Sequence, residues 1–205
     1  MVFMWLKGKI LIMKRGSLIA IEGIDGSGKS TLVNMIAKEF QRKNFYPMSG
    51  VGQMNFTREC REIEKNNDSF SPRFLNIAWL MDFYETGKMV ELMIEEGKNV
   101  VIDRYCLSAK VYAEATTNVD MNIFFEIYSL LPKPDYIFFL DIEPSKAVSR
   151  IKSRNKKVAY YENEDSLKTI RQKYYDVIQR EKLNVFVLDE ILNNQLSAVK
   201  KIIKE

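Results

Sequence analysis

The chain has 205 residues, 46% hydrophobic and 28% charged, with a net charge of +4, two cysteines and no histidine. The missing imidazole excludes Ser-His-Asp and Cys-His hydrolases, and Cys60 and Cys106 alone cannot supply the ligands of a usual zinc site. The length suits one domain, the mild scattered charge suits an anionic small ligand rather than nucleic acid, two isolated cysteines imply reduced thiols and a cytoplasmic setting, and the longest apolar stretches, such as Tyr136–Leu140, are far short of a membrane span.

In chain order, Met1–Met13 is apolar but broken by Lys7 and Lys9, with neither the basic start nor the cleavage site of a signal peptide. Residues 1–16 are read as an N-terminal extension or a mis-set start, with Met4 or Met13 as the alternative beginning. Ser17–Glu22 is a short apolar strand that ends in a glycine-rich turn. Lys29–Lys43 carries Leu32, Val33, Ile36, Ala37 and Phe40 at helical spacing. Phe45–Val51 reads as a strand weakened by Pro47. Ser71–Glu96 is one long helix or two, and Asn99–Ile102 is a buried strand. Helices follow at Leu107–Thr116 and Met121–Leu131, then the strand Tyr136–Asp141 with Pro144 opening a helix. The basic, polar stretch Lys152–Glu164 precedes a helix over Asp165–Glu181, a last strand at Asn184–Leu188 and a helical tail. Strands alternating with helices predict an α/β fold, a parallel sheet covered on both faces, in one domain over residues 17–205.

Gly23-Ile24-Asp25-Gly26-Ser27-Gly28-Lys29-Ser30, followed by Thr31, fits G-x-x-x-x-G-K-[ST] between a strand and an amphipathic helix. Glycines let backbone N–H groups curl around a phosphate, and the helix adds its positive end. Lys29 is placed to reach the outer phosphates of a nucleoside triphosphate and Ser30 to hold Mg²⁺. A guanine-reading N-K-x-D is missing, since Asn155-Lys156-Lys157-Val158 lacks the aspartate.

Four blocks make the sequence resemble the thymidylate kinases, P-loop nucleoside monophosphate kinases that phosphorylate dTMP with ATP. They are Glu22–Thr31 with its inner Asp25, Asp103-Arg104-Tyr105 with Ser108 and Tyr112, Leu131-Pro132-Lys133-Pro134-Asp135, and the Arg150/Arg154 region with the polar lid at about 152–164. The resemblance implies a three-layer sandwich whose five-stranded parallel sheet has the order 2-3-1-4-5. It implies that Asp103 helps to position Mg²⁺ and that Arg104 holds the acceptor phosphate. By the same likeness Asp25 meets the acceptor's sugar hydroxyl, Trp79 stacks on its base, and Tyr112 and Ser108 lie near the sugar and base. Arg150, Arg154, Lys156 or Lys157 would cover the transferring phosphoryl group. It also implies a homodimer, with the last helix or the Leu107–Leu131 helices as the interface. Plainer readings stay open: Trp79 and Tyr112 as core aromatics, Arg150 and Arg154 as a solvated helix face, Asp103 and Arg104 as a surface ion pair.

The departures fall on the acceptor side. Met48–Gln53 lacks the arginine that the family carries after its second strand, and Arg58 lies several residues later. Phe83 stands where a base-reading arginine is expected, with Asp82 or Arg73 as substitutes, and Ala113 replaces a glutamine. Lid residues Ala159-Tyr160-Tyr161-Glu162 lack a basic residue. The expected reaction is phosphorylation of dTMP, the alternatives being a kinase for another nucleotide, nucleoside or small phosphorylated metabolite, and a non-catalytic ATP-binding regulator.

Overall fold

The computed structural model describes residues 2–6, 9–67, 70–116, 121–154 and 162–204. The stretch 155–161, with Lys156, Lys157 and most of the expected lid, lies outside them. Strands β1 (Val2–Leu6) and β2 (Lys9–Met13) pair antiparallel as a separate hairpin. The chain then joins the main body, where Arg15 forks onto Asp135 at 2.9 Å and Gly16 N–H donates to Ile94 O at 2.7 Å.

The main sheet contains β3 (Leu18–Glu22), β4 (Phe45–Ser49), β5 (Asn99–Asp103), β6 (Tyr136–Leu140) and β7 (Phe186–Leu188). Its order is β4-β5-β3-β6-β7, all neighbours parallel. Counted within this sheet that is the expected 2-3-1-4-5. β3 is central and fully buried. Ile19 and Ile21 join Leu32, Ile36, Phe138 and Val199 on one face, while Leu18 and Ala20 join Val90, Ile94 and Tyr105 on the other. Burial on both faces makes the strand apolar throughout rather than alternating. β4 tolerates Pro47 because it is an edge strand, with β5 as its one partner among the described residues.

Helices α1 (Lys29–Glu39) and α8 (Leu192–Lys204) cover the first face. A short 3₁₀ turn, Gln41–Lys43, replaces the end of the longer helix that the sequence predicts. α2 (Asn55–Asn67) is a helix that the sequence reading did not assign. The Ser71–Glu96 segment is a single helix, α3 (Pro72–Glu95), with Ser71 Oγ accepting Phe74 N–H at 3.3 Å and Pro72 in the first turn. α4 (Cys106–Thr116), α5 (Met121–Ser129), α6 (Pro144–Lys152) and α7 (Glu164–Arg180) complete the described helices.

Candidate active site

The site forms at the C-terminal ends of β3, β4 and β5, where parallel α/β sheets bind ligands. Their register sets Asp103 beside both Ile21 and Ser49. The loop leaving β3 needs its glycines. Gly26 has φ +81°, and a Cβ there would lie 2.5 Å from Ala147 O of α6. The loop runs into α1, so the helix's unpaired N–H groups open onto a cavity of about 420 Å³. Asp25, Lys29, Ser30, Asp103, Arg104 and Arg154 are among its lining residues.

Lys29 is buried and folded back, its Nζ donating to Ile24 O at 2.7 Å and to Ser27 Oγ at 3.4 Å. Burial and the charge of Arg104 pull its pKa down to about 8, against Asp25, Asp103 and Glu22. Ser30 Oγ donates to Asp103 Oδ2. Asp103 Oδ1 is buried with no hydrogen-bond partner among the described residues. A hydroxyl beside a carboxylate with one unsatisfied buried oxygen is an oxygen set that suits a hard divalent cation.

In the same cavity Arg104 Nη2 donates to Asp25 Oδ1 at 2.6 Å and to Tyr112 OH at 3.0 Å, and Tyr112 OH donates to Asp25 Oδ2 at 2.8 Å. The guanidinium lies over the Tyr112 ring, 4.6 Å from its centroid. Burial would raise the Asp25 pKa, but the charges of Arg104 and Lys29 outweigh it and hold the carboxyl well below the usual range. Arg104 itself has φ +67°, a left-handed backbone that only a well-determined turn sustains in an arginine.

Beneath this layer lies a buried one. Glu22, fully enclosed, accepts Tyr105 N–H at 3.0 Å and Ser108 N–H at 3.1 Å, and also accepts the Ser108 hydroxyl. Burial pushes its pKa up to about 7, although the Ser108 bond and the charge of Arg104 pull the other way. Ser108 Oγ lies 2.7 Å from Tyr174 OH, and Tyr174 OH donates to Gly23 O at 3.2 Å.

The fold therefore brings Gly23–Thr31, Asp103, Arg104 and Tyr112 together. Arg154 lines the cavity, and Arg150 Nη1 donates to Ser27 O at 3.4 Å, on the loop itself. Ser108 lies under the site with its hydroxyl engaged by Glu22, and Trp79, half-buried on α3, is not among the cavity's lining residues. Phe83 is buried, edge-on to Tyr128 with ring centroids 6.5 Å apart. Asp82 is fully buried and serves the loop after β4, accepting N–H from Gly52, from Gln53 at 3.3 Å and from Met54 at 2.7 Å. It is thus committed to the backbone rather than to a base. Arg58 is exposed on α2 and donates to Asn55 Oδ1 at 2.5 Å. Sequence reasoning gave no role to Glu22, Gly50 or Tyr174. A lone carboxylate ending the run SLIAIE was the signal for Glu22, whereas Tyr174 reaches the loop from 151 residues away.

A phosphate-cradling loop between the central strand of a parallel sheet and its helix defines a P-loop nucleotide-binding protein. The sequence profile described as Thymidylate kinase matches residues 21–203, and the chain belongs to that family. A probable thymidylate kinase of Sulfurisphaera tokodaii is 30% identical over 171 residues, covering 83% of this chain and 86% of that protein. One from Pyrobaculum aerophilum is 33% identical over 162 residues, 77% of this chain and 81% of its own length. The thymidylate kinase of Candida albicans shares the fold with a TM-score of 0.72 at 20% identity, covering 93% of this chain and 92% of that one.

Proposed function

We propose that this protein transfers the γ-phosphoryl group of ATP to dTMP, giving dTDP and ADP. The observation that carries the reading is Arg104 lining the same cavity as the phosphate loop, bonded there to Asp25 of the loop and to Tyr112. A phosphate oxygen of the acceptor attacks the γ-phosphorus as the bond to the β–γ bridging oxygen breaks, and the electron pair leaves with ADP. The acceptor phosphate is already anionic, so the step asks for positioning and charge neutralisation rather than a strong base. In this reading the loop N–H groups and Lys29 hold the donor phosphates, with Lys29 leaving Ile24 O to do so. Arg104 holds the acceptor phosphate, Asp25 its sugar hydroxyl, and Tyr112 its nucleoside, with Ser108 supporting from below. Arg150 and Arg154 approach from the lid side and help to exclude water. Ser30 and Asp103 would hold Mg²⁺, which supplies charge neutralisation at the donor phosphates.

A homodimer in the cytoplasm is part of the proposal. α3 exposes Phe74, Ile77, Met81, Met89 and Leu92, with Leu92 at 62%. Spacings of three and four residues make most of this one apolar stripe, and it favours α3 over both the last helix and the Leu107–Leu131 helices as the face that meets a second copy. Among the described residues no helix is long and apolar enough to cross a membrane. Residues 17–205 would form the kinase domain, with 1–16 as its extension.

The test is turnover of dTMP with ATP and Mg²⁺, followed as ADP release. Lys29→Ala is expected to lower it at least about a hundredfold. The second reading, a different acceptor, is favoured by Phe83 lying buried against Tyr128 where the family reads the base. A panel of nucleoside monophosphates at fixed ATP separates the two, and absence of transfer to any acceptor would favour a non-catalytic ATP-binding role.

A further inference from the structure

The transfer chemistry makes no use of Glu22, yet its carboxylate is fully enclosed beside the site. Its donors come from one short segment. Tyr105 N–H reaches Oε1 at 3.0 Å, Ser108 N–H reaches Oε2 at 3.1 Å, and the Ser108 hydroxyl also donates to Oε2. Tyr105 is the residue before α4 and Ser108 the third residue within it. Glu22 thus provides, from a neighbouring strand, the acceptor that a helix normally finds in its own N-cap side chain. The positive end of α4 favours a carboxylate there.

Arg104 stands immediately before these donors, in the left-handed backbone region that an arginine rarely adopts. The end of β3 holds the turn at two points: Arg104 N–H donates to Ile21 O at 3.0 Å, and the next N–H donates to Glu22. Ser108 Oγ links the two sides, lying on Glu22 and within 3.4 Å of Arg104 Nη1. A carboxylate offers acceptors on both oxygens. An amide, whichever way it turned, would present its NH₂ to one of the two backbone N–H groups.

We propose that Glu22 is a positioning residue for the acceptor site: it fixes the left-handed turn at Arg104 and the first turn of α4, and so holds the Arg104 guanidinium in the cavity. This rests on the reading that Arg104 holds the acceptor phosphate, and the experiment separates the two. dTMP and ATP affinities are measured by titration calorimetry at pH 8 for the wild type, Glu22→Gln, Arg104→Ala and the double variant. Glu22→Gln is expected to weaken dTMP binding about tenfold, the scale of one unsatisfied buried group, and to leave ATP affinity within about twofold. Because Glu22 acts through Arg104, it should have no further effect in the Arg104→Ala background, where an independent effect would simply add. Unchanged dTMP affinity in Glu22→Gln, an equal loss of ATP affinity, or an undiminished effect in the Arg104→Ala background would each overturn the inference. If Arg104→Ala itself binds dTMP like the wild type, the role of Arg104 falls first and takes the inference with it. Ser108→Ala, which leaves the carboxylate in place, serves should Glu22→Gln fail to fold. It is expected to weaken dTMP binding about threefold, again only when Arg104 is present, and the same results would overturn the inference.

Discussion

Glu22 shows how one residue serves a site at some cost to stability. Its pKa stands near 7 in the folded protein against 4.5 for a free carboxyl, with burial as the largest cause. A carboxyl whose folded pKa is raised contributes stability that is fully present below about pH 4.5 and is lost as pH rises through 7. The loss is on the order of 3 kcal/mol. The difference in unfolding free energy between the wild type and Glu22→Gln, followed from pH 4.5 to pH 8, should therefore move against the wild type as pH rises. A flat difference would show that the carboxylate costs nothing to bury. Asp25 behaves in the opposite sense. Arg104 and Lys29 depress its pKa despite burial, so its contribution is present above the ordinary carboxyl range and lost in acid.

At the scale of elements, the site depends on how closely β4 and β5 approach at their ends. Gly50, just past β4, donates its N–H to Asp103 O at 2.8 Å, and a Cβ there would lie only 1.7 Å from Arg104 O. No side-chain movement relieves a clash with backbone, so the two strand ends must separate. Gly50→Ala is expected to cost about 2–4 kcal/mol in denaturant unfolding and to weaken dTMP binding about tenfold. Wild-type stability in that variant would mean that the strand ends part without penalty. α7 is tied to the sheet by a comparable device. Arg171 forks onto Asp141 at 2.7 and 2.9 Å, and Tyr175 OH donates to the same carboxylate at 2.8 Å. This clamp and Tyr174 together fix α7 beneath the phosphate loop.

At the scale of the whole molecule, the apolar stripe of α3 is the face assigned to the proposed second copy. Met81 is 52% exposed, and a hollow of about 450 Å³ lined by Met54, Met81, Tyr84, Met89 and Ile127, among others, runs beside it. Placing glutamates at Met81 and Leu92 puts charge in the middle of this face without touching the core. On the proposed homodimer, the double variant is expected to sediment as a monomer at concentrations where the wild type sediments as a dimer. A monomeric wild type at tens of micromolar would sink the α3 assignment.

The loop Gly23–Ser30 was legible because a phosphate cradle needs glycines, a lysine and a hydroxyl at fixed local spacing, and the buried strands were legible because burial on both faces makes them continuously apolar. The family likeness carried the sheet order and the pairing of Asp103 and Arg104 with the loop. α2 escaped notice because its apolar positions, Phe56, Cys60 and Ile63, are thinly spread among charged residues. Asp82 and Ser108 looked available to a substrate. Only the tertiary structure commits one to the N–H groups of Gly52–Met54 and the other to Glu22, since a buried polar group takes whatever donor the fold brings to it, from 28 to 86 residues away. Sequence by itself thus determined the donor-phosphate chemistry, which is local and periodic. The fold decided how Arg104 is aimed, because its backbone is held by contacts from the ends of β3 and β4 that lie far from it along the chain.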